Sequence, residues 1–300
     1  MKYQRGVALV LVLWVITLLS VIAGNFAFSM RGEANIARNM LSGAQAQALA
    51  DAGLQRAWYE LMKPPTELQR WTADGVVHEL VLDGGLLHIS IQDESGKIDI
   101  NTASEALLRG LFRSIGADEG AAVALADCVQ DWRDSSKLKR LHGAKDDDYR
   151  AAGKNYGPAN ASFTTVDELL RVLGMTPDLF RLLEPIVTVH TKQAGVNTAV
   201  ASRAALLAIP GVTPALADQY LELRKSLISA GQVVPVFAGA SIFASQPAGL
   251  KVFSVRSEAK MADGTVFVRQ AVARLTSDLK HPVALLAWGD GESEKFSELK

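Results

Sequence analysis

Residues 7–30 read VALVLVLWVITLLSVIAGNFAFSM and carry no charged side chain. A helix rises about 1.5 Å per residue, so this stretch is long enough to cross the roughly 30 Å of hydrocarbon in a bilayer. The preceding residues 1–6, MKYQRG, have Lys2 and Arg5 as their charged side chains, and basic residues favour the cytoplasmic side of a membrane. The sequence therefore predicts one membrane-spanning helix, with a cytoplasmic N-terminus and the rest of the chain on the other side.

The helical pattern continues past this apolar run to residue 62. Apolar or small residues recur every three or four positions, as on one face of a helix, at Ala37, Leu41, Ala44, Ala48, Leu54, Trp58 and Leu61. Pro64-Pro65 ends the pattern because neither proline can donate a backbone hydrogen bond. A secretory signal peptide cut after Ala23-Gly24 would have a shorter apolar core. The sequence favours one long helix, half membrane-embedded and half amphipathic.

Two predicted β-hairpins lie far apart in the chain. Residues 75–101 have strand composition around a turn at Asp83-Gly84-Gly85, where glycine supplies the positive φ of a tight reversal. A second hairpin pairs residues 251–261 with 265–275. We expect both hairpins to share one antiparallel sheet packed on the long helix, which is an α+β fold. The start of the second hairpin stays open over residues 225–250.

The segment between the hairpins, residues 101–230, has a helical and repetitive pattern. Residues 169–179 match residues 206–216 without a gap, which predicts repeated helix-turn-helix units. Asn101-Thr102 recurs as Asn197-Thr198, each before an apolar helical run whose free amides the side-chain oxygens could cap. Such units resemble SAM-like or helix-hairpin-helix folds, so we expect an inserted all-α domain.

Charge and motif content argue against nucleic acid binding and against an active site. The chain has 31 Lys and Arg against 32 Asp and Glu, and the turns at Gly174 and Gly211 lack the second glycine of a phosphate-binding hairpin. The single cysteine, Cys128, has no partner for a disulfide and is predicted to be a buried small hydrophobe. No nucleophile elbow or phosphate loop is present, so we predict no nucleic acid partner and no catalytic residue.

The N-terminus resembles the class III signal of type IV pilins and type II secretion pseudopilins. It combines a basic leader ending in Gly6, an uncharged helix starting at Val7, and the alanine-rich continuation Ala50-Asp51-Ala52-Gly53. The resemblance implies cleavage between Gly6 and Val7 by a prepilin peptidase, followed by methylation of the new N-terminus. The family usually has a glutamate at the fifth mature position, where this chain has Leu11. A buried charge needs a partner in lipid, and a subunit without that glutamate fits the end of a filament.

Four further motifs occur in the order typical of the K-type minor pseudopilin of type II secretion systems. They are Gly96-Lys97-Ile98-Asp99-Ile100-Asn101-Thr102-Ala103, Asp131-Trp132-Arg133-Asp134, Gly143-Ala144-Lys145-Asp146-Asp147-Asp148-Tyr149 and Thr165-Val166-Asp167-Glu168-Leu169. This resemblance implies a pilin-like fold with a prepilin leader at 1–6, a transmembrane helix at 7–30, a pilin-like α/β domain at 31–100 and 231–300, and an inserted helical domain at 101–230.

The same resemblance implies a function in protein export and a set of partners. The chain is then an inner-membrane, single-pass minor pseudopilin whose bulk is periplasmic and which nucleates the pseudopilus from its tip. Its expected partners are the I-type and J-type minor pseudopilins and the prepilin peptidase, with the outer-membrane secretin or the exported cargo as further candidates. The alternatives are a minor pilin of a type IV pilus or DNA-uptake system, a membrane-tethered DNA-binding protein, and a signal-anchored enzyme.

An acidic region follows the predicted helix that ends near Asp134. Taken alone, adjacent carboxylates on a glycine-rich loop are most simply a solvated turn, although hard oxygen ligands on such a loop also suit calcium. The resemblance implies calcium here, with Asp131, Asp134, Asp146, Asp147, Asp148, Asn160 and Glu168 as candidate ligands. Ser135, Ser136 and Lys145 occupy positions where carboxylates are common in the family.

Overall fold

The chain is built from a long helix, an antiparallel sheet and a helical insert. The computed structural model describes residues 5–64, 67, 70–82, 84–237, 242–244, 251–278 and 280–291. Predictions that fall on residues 1–4, on Pro65 and Asp83, and on residues 238–241, 245–250, 279 and 292–300 lie outside the described residues.

Helix α1 runs from Arg5 to Met62, as the sequence predicts. Its residues 8–41 are all exposed, and burial begins at Ser42. The buried positions are Ser42, Ala46, Leu49, Ala50, Gly53, Leu54, Ala57, Trp58, Glu60 and Leu61. Predicted positions Leu54, Trp58 and Leu61 are therefore buried, whereas the upstream positions of the same predicted stripe are helical but exposed. Alanines line several faces of this helix, so their spacing does not identify the face that the sheet covers.

One five-stranded sheet packs against the second half of α1. In spatial order it is β1 (Asp74–Leu82), β2 (Gly85–Asp93), β5 (Lys251–Met261), β6 (Val266–Leu275) and β7 (Val283–Asp290), with every neighbouring pair antiparallel. The two predicted hairpins thus share a sheet, joined through β2 and β5. Strand β7 was not predicted, because VALLAWGD lies mostly exposed at the sheet edge and lacks the apolar–polar alternation of a half-buried strand.

The helix packs closely on the sheet at Gly53. A Cβ built there would lie 2.1 Å from Ser257 Oγ and 3.3 Å from a methyl carbon of Ile89. A side chain at this position would push α1 off the sheet, so the glycine sets the distance between the two layers. The core between them is formed by Leu49, Leu54, Trp58, Leu61, Leu87, Ile89, Ile91, Phe253, Val255 and Ala273 with smaller neighbours.

The insert between β2 and β5 has a core of its own. Its elements are β3 (Ile98–Asp99), α2 (Glu105–Ser114), α3 (Glu119–Arg133), α4 (Asp146–Ala151), α5 (Pro177–Leu183), β4 (Val187–Thr188), α6 (Arg203–Leu207) and α7 (Pro214–Ser229). Strands β3 and β4 pair in parallel. Apolar side chains from all these helices form one cluster that includes Leu107, Phe112, Trp132, Tyr149, Leu183 and Leu206.

The two sequence repeats form two similar turns. Thr176 and Thr213 cap α5 and α7 through their hydroxyls, and Gly174 and Gly211 have φ of +89° and +85° two residues earlier. The element before the first turn is a short 3-10 helix, Val166–Arg171, rather than an α-helix. Capping by the repeated Asn-Thr pairs was wrong, because Ser104 and Ser202 cap α2 and α6 instead.

A short polar segment after β2 joins the insert to the sheet. Ser95 accepts the backbone N–H of Asn197 at 2.8 Å through its carbonyl, and its hydroxyl accepts the Asn197 side-chain amide at 3.0 Å. A Cβ on Gly96 would lie 2.8 Å from the Val200 carbonyl oxygen, so the two backbones touch here. The buried Glu94 pairs with Lys97 at 2.6 Å, and Lys97 Nζ also reaches Ser254 Oγ on β5 at 3.4 Å. We call residues 94–97 the junction.

Arg269 on β6 ties α1 to the edge strand β7. Its Nε donates to Asp51 on α1 at 2.7 Å, and its other arm pairs with Asp290 on β7. The guanidinium lies over the rings of Phe267 and Trp288, at 4.9 and 5.3 Å from the centroids. Only 8% of the Arg269 side chain is exposed, so both carboxylates depend on one largely buried cation.

Replacing Arg269 should loosen this attachment. We expect Arg269→Met to lower the free energy of unfolding by about 1–2 kcal/mol, because two carboxylates lose a charged hydrogen-bond donor. Arg269→Lys should recover part of the loss, since an ammonium keeps the charge but cannot fork between two carboxylates. Thermal melts of the full chain in detergent measure both variants. Equal melting temperatures for wild type and Arg269→Met would contradict the role given to this residue.

Candidate functional site

The exposed first half of α1 is the first candidate for function. Among the described residues, one helix is long and apolar enough to cross a membrane, with a mean hydropathy of 2.4 in its most apolar window and none of that window buried. Gly6 and Val7, the predicted processing pair, lie at its start. Leu11 is 62% exposed. The segment therefore presents an apolar surface that none of the described residues outside it covers.

The second candidate is the acidic region that begins at the end of α3. Asp131 is fully buried, and its carboxylate accepts the backbone N–H of Arg140 at 3.1 Å. Burial raises the pKa of the Asp131 carboxyl above its ordinary value, against the opposing effect of that hydrogen bond. One turn earlier, Asp127 accepts the backbone N–H of His142 at 3.1 Å. Both carboxylates thus fasten the loop after α3 back onto the helix.

The other candidate ligands also have protein partners. Asp134 accepts the backbone and hydroxyl of Ser136, which lowers the pKa of its carboxyl. Asp148 accepts the ammonium of Lys139 at 2.8 Å and the backbone N–H of Lys145 at 2.9 Å, and these contacts lower its pKa.

The remaining three candidate carboxylates, those of Asp147, Asp146 and Glu168, each have different neighbours. Asp147 is exposed and pairs with Arg150 at 3.0 Å. Asp146 is exposed at the start of α4 and lies against Gly157, where a Cβ would be 2.0 Å from its carboxylate oxygen. Glu168 accepts the backbone N–H and hydroxyl of Thr164. The acidic residues therefore form several separate hydrogen-bonded turns rather than one cluster.

Lys145 occupies the point where oxygens do converge. Its Nζ donates to the carbonyl oxygens of Asp131 at 2.8 Å and Asp134 at 2.9 Å, and to the side-chain oxygen of Asn160 at 3.1 Å. Within the described residues, no three His, Cys, Asp or Glu side chains gather so that they could share a metal ion. The carboxylates present do not fit a divalent ion here, and calcium binding stays a prediction. Sequence reasoning noted Lys145 as a departure but did not assign it a structural role.

Cys128 has the role expected of it. Its side chain is buried in the core of the insert, and burial, with the nearby charges of Asp131 and Asp127, raises the pKa of its thiol to about 12. A thiol that stays protonated at neutral pH is a poor nucleophile. The prediction of a buried small hydrophobe is confirmed.

The architecture matches a known secretion protein. A chain of the crystal structure of the GspK–GspI–GspJ complex from the type 2 secretion system of enterotoxigenic Escherichia coli superposes with a TM-score of 0.57. The match covers 88% of this chain and 99% of that chain, at 16% sequence identity. This likeness shows the fold: a long N-terminal helix on a five-stranded antiparallel sheet with a helical insert, which is the predicted α+β, pilin-like arrangement.

Sequence comparisons name the family. The type II secretion system protein K of Klebsiella pneumoniae is 26% identical over 268 residues, covering 82% of this chain and 80% of that protein. The protein K of Pseudomonas aeruginosa is 27% identical over 242 residues, covering 74% and 72%. The first-domain model of type II secretion system protein K matches residues 77–192. The chain is therefore similar to type II secretion system protein K over most of its length.

Similarity to protein K indicates the broad class of function. Protein K is a minor pseudopilin, a structural subunit of the type II secretion system and not an enzyme. The matched residues 77–192 include the junction, the end of α3 and Lys145. The long apolar helix is consistent with the single-pass membrane anchor of such a pseudopilin. The SAM-like or helix-hairpin-helix class of the insert stays a prediction.

Proposed function

We propose that this pseudopilin sits at the tip of the pseudopilus and nucleates its assembly for protein export across the outer membrane. The observation that carries the proposal is the division of α1. Residues 8–41 are exposed and apolar for most of their length, whereas the helix from Ser42 onward is packed into a large head. The exposed half is suited to pack first in the inner membrane and then against helices of other subunits, while the periplasmic head lies outside the shaft.

Two further features support a terminal position. Leu11 leaves the first turns of the processed helix without an acidic side chain, so no carboxylate is available there to pair with the N-terminal amine of a subunit ahead. The insert adds a second hydrophobic core to the pilin-like one, which makes the head bulky for a position along a helical shaft. A subunit that caps the filament has no subunit ahead of it, so it needs no carboxylate for pairing and its bulky head obstructs no neighbour.

The proposed partners are the I-type and J-type minor pseudopilins. The support is the fold shared with a chain of the complex named for GspK, GspI and GspJ. We propose that the exposed half of α1 contacts their N-terminal helices. The prepilin peptidase would act earlier, at Gly6-Val7, and the secretin or the cargo would meet the head.

Labelling tests the terminal position. Pseudopili are assembled from a functional system in which this chain carries an epitope tag, and the tag is located by electron microscopy. We expect label at one end of each filament, because a subunit that accepts nothing ahead of it cannot be internal. The major pseudopilin with the same tag is the matched control and should label the whole length. Label from this chain spread along the shaft would contradict the proposal.

Deletion of the gene distinguishes the proposal from a type IV minor pilin. We expect export of the type II cargo and assembly of the pseudopilus to fall, while type IV pili and DNA uptake stay at their normal levels. The opposite pattern would favour the pilus or DNA-uptake system.

A further inference from the structure

The side chain of Lys145 enters a small ring of oxygens between the end of α3 and the segment that follows α4. All three hydrogens of its ammonium are used, by the carbonyl oxygens of Asp131 and Asp134 and by Asn160 Oδ1, at 2.8, 2.9 and 3.1 Å. An ammonium has three donors and no acceptor, so these contacts satisfy it completely. The side chain is partly buried.

The ring is a site for positive charge because of where its oxygens come from. The last four carbonyls of a helix have no partner within the helix, and that end carries partial negative charge. Asp131 lies in the last turn of α3 and Asp134 is its C-terminal cap residue. Their carbonyls therefore need a donor, and a cation is the most favourable one.

The third oxygen is held in place by local backbone structure. Asn160 has a φ of +50°, a left-handed conformation that asparagine tolerates better than most residues. Its amide nitrogen donates to the carbonyl of Pro158 at 3.2 Å, which directs Oδ1 toward the ammonium. The Lys145 side chain thus links the end of α3 to Asn160, which lies 15 residues beyond Lys145 in the chain.

The carboxylates of Asp131 and Asp148, which lie near the ring, accept hydrogen bonds from other donors. Asp131 holds the backbone of Arg140, and Asp148 holds the backbone of Lys145 and the ammonium of Lys139. None of these contacts directs a carboxylate oxygen at the ring. Calcium takes six to eight oxygens at about 2.3–2.6 Å, whereas this ring offers three at hydrogen-bonding distance of an ammonium.

We propose that the Lys145 ammonium is the resident cation of this loop and gives it the crosslink that a divalent ion would otherwise supply. The order of residues 134–160 then does not depend on calcium. The inference concerns the folding of the head and is independent of where the chain sits in a filament.

Hydrogen exchange of the full chain in detergent tests this locally. Amide exchange is followed by mass spectrometry in peptides covering residues 134–160, with calcium and with a chelator. We expect the same protection in both conditions for the wild type. Calcium-dependent protection of these amides would overturn the proposal, and this arm needs no variant to fold.

Substitution supplies the second arm. Lys145→Met keeps the length of the stem and removes the charge, so the amides of Arg140, His142 and Lys145 should exchange about tenfold faster or more as the loop opens. Lys137→Met, an exposed lysine on the same loop, is the matched control and should exchange like wild type. Unchanged exchange in Lys145→Met would also overturn the proposal.

Discussion

Replacing Lys97 by methionine should destabilise the head by about 3–5 kcal/mol, because it leaves the Glu94 carboxylate buried without its cation. Glu94 is 2% exposed and lies 2.6 Å from Lys97 Nζ in the junction between sheet and insert. Urea or thermal unfolding of the full chain in detergent measures the loss. The double variant Glu94→Gln with Lys97→Met should be more stable than Lys97→Met alone, since it leaves no uncompensated charge.

The pH dependence of this effect has a definite sign. Burial alone would raise the pKa of Glu94, but the Lys97 ammonium holds it below its ordinary value. A depressed carboxyl pKa contributes stability above the unfolded-state pKa, and that stability is lost as pH falls through the folded-state pKa. Without Lys97, burial favours the protonated acid. The difference between wild type and Lys97→Met should therefore be largest at neutral pH and smaller in acid, and a constant difference would contradict the pairing.

Replacing Gly110 by alanine should destabilise the insert by about 1–3 kcal/mol, the usual cost of overpacking a core. A Cβ at Gly110 on α2 would lie 2.0 Å from the carbonyl oxygen of Ala208, at the end of α6. The obstacle is backbone, so relief requires the two elements to separate. This loss should exceed the gain of up to about 1 kcal/mol that alanine brings to a helix interior.

Gly120→Ala is the matched control for Gly110→Ala. Gly120 lies in the neighbouring helix α3, and a Cβ there would meet only Asp118 Oδ1, at 3.4 Å. We expect this variant to melt at or above the wild-type temperature. If both alanine variants melt alike, the close contact between α2 and α6 does not govern the stability of the insert.

The sequence predicts those parts of the fold that have strong local patterns. The apolar run and its continuation predict α1 to its last residue, and the turns at Gly84 and Gly264 mark both hairpins, with φ of +78° and +90° at these glycines. Strand β7 is missed because an exposed edge strand needs no alternation. The buried face of α1 is only partly predicted. Alanines occur on several faces of this helix, so their spacing does not show which of them are buried.

Less of the candidate site can be predicted, because it depends on contacts across long separations. The composition around Asp146 indicates an acidic loop, but not that each carboxylate closes a different turn. Lys145 shows in the sequence as a basic residue among acids, while its three oxygen partners come from two segments that only the fold brings together. The Arg269 contact with Asp51 spans 218 positions and has no local signal.

The intact mass of the chain purified from membranes, with and without a functional prepilin peptidase, tests the central claim most directly. The account predicts a peptidase-dependent loss of residues 1–6 and one added methyl group on Val7. With Gly6→Leu as a control variant, the leader should remain even when the peptidase is present. An intact leader in the wild type, or cleavage after the apolar run near Ala23-Gly24, would contradict the assignment of this chain as a pseudopilin that keeps its helix.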